Sequence, residues 1–114
     1  MKISVRDHVK LQPDKMAKIA LATTPRAQLD VYCLGPGQSQ KAHVHADQDK
    51  ICYVVEGRGQ FSLDGADQTL EPGEAIVARA GAEHGITNAG DTPLVVLVVV
   101  TPPPPALPSA VSHA

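Results

Sequence analysis

Turn-forming residues punctuate this chain at intervals of roughly 8–12 residues, and no other feature limits its fold so strongly. Gly35-Pro36-Gly37, Glu56-Gly57-Arg58-Gly59, Asp64-Gly65, Glu71-Pro72-Gly73-Glu74 and Gly90-Asp91 separate short apolar stretches. Between them Leu29, Val31 and Cys33 alternate with Asp30 and Tyr32, His43-Val44-His45 alternates likewise, and Ile51 to Val55 is rich in β-formers. Phe61 and Leu63 lead into Asp64-Gly65, a hairpin signal, because both central residues of a tight turn tolerate positive φ. No central segment carries a 3.6-residue apolar stripe. Lys15 to Ala22 is the exception, since its Met, Ala, Lys and Leu also favour helix, and a strand is the expectation there. The pattern predicts an all-β, antiparallel barrel formed by a single domain: residues 15–101, after an N-terminal segment, 1–14, and before a Pro-rich tail, 102–114.

Leu94 to Val100 contains no polar residue. A strand with one wet face alternates, so this one is expected to be covered on both. The barrel interior is one cover. A second copy of the chain is the expected other, burying Ile51, Tyr53 and Val55 or alternate residues of Leu94 to Val100. The N-terminal segment or the tail is the alternative. Thr101-Pro102-Pro103-Pro104-Pro105 cannot continue a hydrogen-bonded ladder and must leave the sheet.

A net charge of −2 with dispersed Lys and Arg argues against nucleic acid as a partner. Three aromatic residues, Tyr32, Tyr53 and Phe61, offer no stacking platform. The charged start Met1-Lys2-Ile3-Ser4-Val5-Arg6 is not a secretory signal, and no apolar run is long enough for a membrane helix, so a cytoplasmic location is expected. Cys33 and Cys52, without CxxC spacing, read as buried thiols rather than a disulfide.

The residues that point to chemistry are histidines. His43 and His45, one residue apart on a strand, project from the same face. His84 lies on a later strand, sharing its face with Ile86 and Asn88. Three imidazoles converging in an apolar barrel hydrogen-bond poorly with each other but suit a divalent metal well, with zinc, iron, nickel or manganese as candidates. His8 and His113 lie in terminal segments and are given no role.

The frame around these histidines is specific. Gly37, five residues, His43-Val44-His45, four residues, Lys50, six residues and Gly57 form one block. Gly73, five residues, Arg79, one residue, Gly81, two residues, His84, three residues and Asn88 form another. Together they resemble the two motifs of the cupin superfamily. The resemblance implies a jelly-roll barrel, also described as a double-stranded β-helix, with a metal in its mouth held by the paired histidines, a glutamate and the later histidine. Two positions depart from it. Arg79 replaces a turn proline, and Lys50 stands where the glutamate ligand is expected. A lysine ammonium has no lone pair and repels a cation.

Three readings of the site follow. A metal binds through His43, His45 and His84 alone; or a local bulge turns Asp49 inward as an acidic fourth ligand; or no metal binds and a small anion is held against Lys50. Strand alternation places Lys50, Cys52 and Val54 on one face, so Lys50 is expected inside, where it could anchor a substrate or donate a proton. Cys52 lies beside it, as a core thiol or a second contact to the ligand. The functions that fit are a metal-dependent dioxygenase or isomerase of a small polar molecule, or a non-catalytic binding or sensor protein for a small anion.

Overall fold

The computed structural model describes residues 1–105. The rest of the Pro-rich tail, with His113, lies outside the described residues. Nine strands are present among them: β1 Ala17–Thr23, β2 Gln28–Leu34, β3 Ser39–Val44, β4 Asp49–Glu56, β5 Gly59–Leu63, β6 Ala66–Leu70, β7 Ala75–Ala78, β8 Glu83–Thr87 and β9 Leu94–Thr101. They form two antiparallel sheets, one in the order β1-β2-β9-β4-β7 and the other β3-β8-β5-β6. This is the expected jelly roll. Lys15 to Ala22 contributes the edge strand β1 rather than a helix, since propensity yields to pairing with β2. The hairpin at Asp64-Gly65 forms as expected, with φ of 50° and 83°.

The main core lies between the sheets. Tyr32 and Leu34 of β2, Cys52 and Val54 of β4, Phe61 of β5, Ile86 of β8 and alternate residues Leu94 to Val100 of β9 are buried there. Each fully buried Val, Leu, Ile or Phe contributes about 1.5–3 kcal/mol relative to an exposed one, so this layer dominates stability. Gly57 shows how closely the strand ends pack. It has φ of 82°, and a Cβ on it would run into the Pro93 carbonyl. Only glycine fits there without displacing the turn before β9.

Outside the larger sheet lies a second cluster of Ala17, Val31, Cys33 and Val95, with Val5 and Val9 packed against it. A 3₁₀ turn, Val5–His8, brings Val5 over that face. The N-terminal segment therefore covers the Val95 end of β9. The other end of the same face carries Ile51, Tyr53 and Val77, exposed by 37%, 43% and 51%. Cys33 and Cys52 belong to clusters on opposite sides of the sheet, and both are free thiols.

Candidate metal centre

His43 and His84 are register partners across the β3–β8 ladder, and His45 follows directly after β3. Opposed residues on neighbouring strands hold their Cβ atoms about 4.5–5.5 Å apart, close enough for side chains to meet. The ring centroid of His43 lies 4.7 Å from that of His45 and 4.4 Å from that of His84, and His45 and His84 are 5.5 Å apart. One nitrogen from each ring lies within 4.8 Å of the others, so small ring rotations would bring all three onto one ion. Among the described residues this is the one cluster of such donors.

Backbone carbonyls set the rings. His43 Nδ1 lies 2.8 Å from the Lys41 carbonyl oxygen, and His84 Nδ1 lies 3.2 Å from that of Ala82. A carbonyl only accepts, so each Nδ1 carries the proton and each Nε2 keeps its lone pair. His84 Nε2 is buried and has no partner. Burial above all holds the His84 pKa down to about 4, with Lys50 and the other two histidines adding to it. Burial, followed by His43, Lys50 and Lys18, lowers His45 as well. Neutral imidazoles with free lone pairs are the form a metal requires. The residues present therefore suit a divalent ion.

The loop before β8 holds this geometry. Gly81, with φ of 87°, donates its N–H to the His45 carbonyl at 2.8 Å, tying the end of β3 to the turn that launches His84. Ala80 N–H donates to Asp49 Oδ1 at 2.8 Å. Asp49 is thus exposed and engaged with this loop, apart from the three histidines. The register with β9 runs without a bulge at Asp49, so period two carries its side chain away from the face of Lys50, and the expected alternative of an inward Asp49 does not match its position. Asn88, fully buried, donates to the Leu34 and Thr92 carbonyls at 2.9 and 2.8 Å and accepts from Gly90 N–H at 3.0 Å. It organises the turn after β8.

Lys50 points inward and is 2% exposed. Its Nζ donates to Gln40 Oε1 at 3.2 Å and lies 4.8 Å from the Tyr32 ring centroid. Burial pulls its pKa down to about 8, against which Cys52 and Asp30 pull upward. Burial pushes the Cys52 thiol up to about 11. It is a protonated core group at neutral pH, and nothing marks it as a nucleophile.

Sequence reasoning overlooked four neighbours. Asp30, 1% exposed, accepts from Gln28 Nε2 at 2.9 Å through one oxygen, while Oδ2 is buried without a partner. Tyr32 and Gln40 line the same space, and Lys18 places its Nζ 5.5 Å from the Tyr32 ring. A groove of about 260 Å³ lies beside His45, between the β3–β4 turn and Pro102, Pro103 and Pro105. Gln48 Nε2 pins that proline strap by donating to the Pro102 carbonyl at 3.1 Å.

The family profile described as "Cupin domain" matches residues 30–100, more than half of the chain. An oxalate-binding protein from Thermotoga maritima is 34% identical over 64 residues, spanning 56% of this chain and 53% of that one. Acireductone dioxygenase from Bacillus thuringiensis is 36% identical over 63 residues, spanning 51% of this chain and 36% of the enzyme. The chain thus spans about half or less of the length of these curated relatives. The crystal structure of TT1209 from Thermus thermophilus superposes with a TM-score of 0.87 at 39% identity, over 90% of this chain and 98% of that one.

Proposed function

The chain belongs to the cupin family, and on that premise we propose that His43, His45 and His84 hold a divalent metal which in turn binds a small chelating anion. The buried, unpartnered Nε2 of His84 carries this reading. Leaving such an atom unsatisfied costs about 1–3 kcal/mol, and an ion shared with His43 and His45 removes that cost.

The charge of the site names the ligand class. Imidazole ligands bring no negative charge and leave the two charges of the ion uncompensated, and the buried Lys50 adds positive charge near His45 and His84. A compact oxyanion with two oxygens in chelating positions, of which oxalate is the simplest, offsets both. Lys50 has hydrogen-bonding capacity beyond its contact with Gln40, so its amine can orient an acidic group of that ligand. The names of two relatives, one oxalate-binding and one a dioxygenase, fall within the same chemistry. When bound, the ion would act as a Lewis acid with open positions for ligand or dioxygen. The catalytic form of the reading is a dioxygenase or isomerase acting on a small polar acid.

Titration of chelator-stripped protein with zinc, then with oxalate, tests the proposal. The expected result is one zinc per chain, lost in His84→Ala, and oxalate binding that appears only after zinc is added. The surplus donor capacity of Lys50 also favours a second reading, a metal-free anion site. Oxalate binding equally well to the stripped protein, and lost in Lys50→Met, would establish that reading and sink the metal-dependent one.

A further inference from the structure

Two inward residues of β3 stand an odd number of places apart. Gln40 directs Oε1 to the buried Lys50 amine, and His43 meets His84 across the ladder. Residues three apart lie on opposite faces of a regular strand. The register accounts for the difference. Gln40 pairs with Ile86 and His43 with His84, so Lys41 and Ala42 together stand opposite Gly85 and have no partners of their own. This is a β-bulge, which bends the strand and re-aims the side chains beyond it. Packing does not explain it, because Lys41 and Ala42 are both exposed.

Gly85 is the seat of the bulge. Its neighbours on the outer face of β8, Glu83 and Thr87, are exposed, whereas Gly85 is buried. A Cβ there would come within 3.0 Å of the Ala42 nitrogen and the Gln40 carbonyl oxygen, and within 3.1 Å of the Ala42 Cα. All three are backbone atoms, so only a shift of β3 itself would make room. The bulge also frees a carbonyl. In a regular strand carbonyls lie in the plane of the sheet and side chains stand across it, so a ring does not reach the carbonyl two residues back. Here the Lys41 carbonyl oxygen lies 2.8 Å from His43 Nδ1. His84 is held in the same way by the carbonyl of Ala82, two residues back in the loop before β8.

We propose that the Lys41-Ala42 bulge, seated on Gly85, is the positioning device of the metal centre, which makes Gly85 a positioning residue for His43. The inference rests on the metal reading above and deepens it. The unpaired Lys41 carbonyl accepts the proton of His43 Nδ1, which leaves Nε2 with its lone pair for the ion. The extra residue in β3 thus supplies a contact that a shorter, regular strand lacks.

The test compares wild type, Gly85→Ala and a variant with Ala42 deleted, each a full chain stripped of metal. The deletion leaves Lys41 alone opposite Gly85. Gln40 and His43 still face inward and His43 still meets His84, but the Lys41 carbonyl returns to the plane of the sheet. Zinc affinity is measured by calorimetry and the His43 tautomer of the metal-free protein by ¹⁵N NMR. Wild type should carry its His43 proton on Nδ1. The deletion variant should move that proton towards Nε2 and bind zinc about 10–100-fold more weakly, the usual loss when the group orienting a metal-binding histidine is removed. Gly85→Ala should shift both readouts in the same direction. If the deletion variant keeps the wild-type tautomer and zinc affinity, the bulge is passive and the inference is overturned, while the three-histidine site survives. A loss of zinc affinity with the tautomer unmoved would also overturn the role given to the Lys41 carbonyl. Should the deletion variant not fold, Gly85→Ala decides, and zinc affinity equal to wild type overturns the inference. If wild type binds no zinc, the metal reading fails and carries the inference down with it.

Discussion

Lys50→Met replaces a buried amine with an apolar side chain of similar length, and its effect on stability follows from the surroundings of Nζ. The fall of the Lys50 pKa from 10.5 to about 8 means that keeping it charged costs the metal-free folded state about 3 kcal/mol at neutral pH, at about 1.36 kcal/mol per pH unit. Methionine forfeits the contact with the Tyr32 ring and the hydrogen bond to Gln40, together about 1 kcal/mol. Metal-free Lys50→Met should therefore be more stable than wild type by about 2 kcal/mol at pH 7. Between pH 8 and 10.5 the unfolded chain holds a proton on Lys50 that the folded chain has lost, so rising pH stabilises wild type through this group. The advantage of the variant should shrink towards zero by about pH 9.5. Cys52 pulls the other way in that range, since its raised folded pKa favours unfolding as pH climbs, but it does so in both proteins and largely cancels in the difference. Urea denaturation at pH 7 and 9.5 supplies the numbers. A variant no more stable than wild type at pH 7, with a gap that ignores pH, would refute the account of Lys50 as a buried charge.

Three further outcomes are expected. Metal-free wild type should lose stability as pH falls from 6.5 towards 4, because the unfolded chain takes up a proton on His84 that burial denies the folded one, and His84→Gln should flatten that limb of an acid titration followed by circular dichroism. Gly57→Ala should destabilise by at least about 2 kcal/mol in urea, from the positive φ and the contact with the Pro93 carbonyl. We also propose that the bare stripe of Ile51, Tyr53 and Val77, flanked in register by Leu97 and Val99 and free of charge, docks a second copy of the chain about a two-fold axis; light scattering should then report a dimer for wild type and a monomer for Tyr53→Lys, and a monomeric wild type would refute it.

The histidine cluster and the inward Lys50 were legible in the sequence because His43 and His45 stand one residue apart in extended chain and Lys50, Cys52 and Val54 alternate along β4. Asp30, Tyr32, Gln40 and Lys18 were not. Alternation sorts a strand into two sets without saying which faces the core. On β2 the more apolar set, Leu29, Val31 and Cys33, is the outer one, where the N-terminal segment buries part of it, while Asp30, Tyr32 and Leu34 face inward. Between Gln40 and His43 the β3–β8 register shifts, so counting by twos from His43 misplaces Gln40. Alternation already set Asp49 on the face opposite Lys50, and the structure adds what no pattern carries: the N–H of Ala80, in the loop before β8, donates to one of its oxygens. A second copy was the expected outer cover of β9 and the N-terminal segment the alternative; that Val5 and Val9 cover its Val95 end depends on where the 3₁₀ turn lands, and Leu97 and Val99 stay half-buried.

The registers also divide the interior into two ends. Lys50 pairs with Val100, which pairs with Gln28, while Val54 pairs with Val96 and that with Tyr32. Along β4 the inner face runs from Lys50 through Cys52 to Val54, and along β2 from Gln28 and Asp30 through Tyr32 to Leu34. On both strands the polar residues lie towards the same end, and Leu34 and Leu94 pair at the other. The apolar end supplies stability: truncating Leu94 to alanine there should cost about 2–5 kcal/mol, as for other fully buried leucines. The polar end gives up some of that stability to Lys50, Asp30 and the unpartnered His84 nitrogen. Such a cost is tolerable only because the two ends are separate, so ligand chemistry at the mouth can be tuned by substitution without loosening the packing that holds the strands in register.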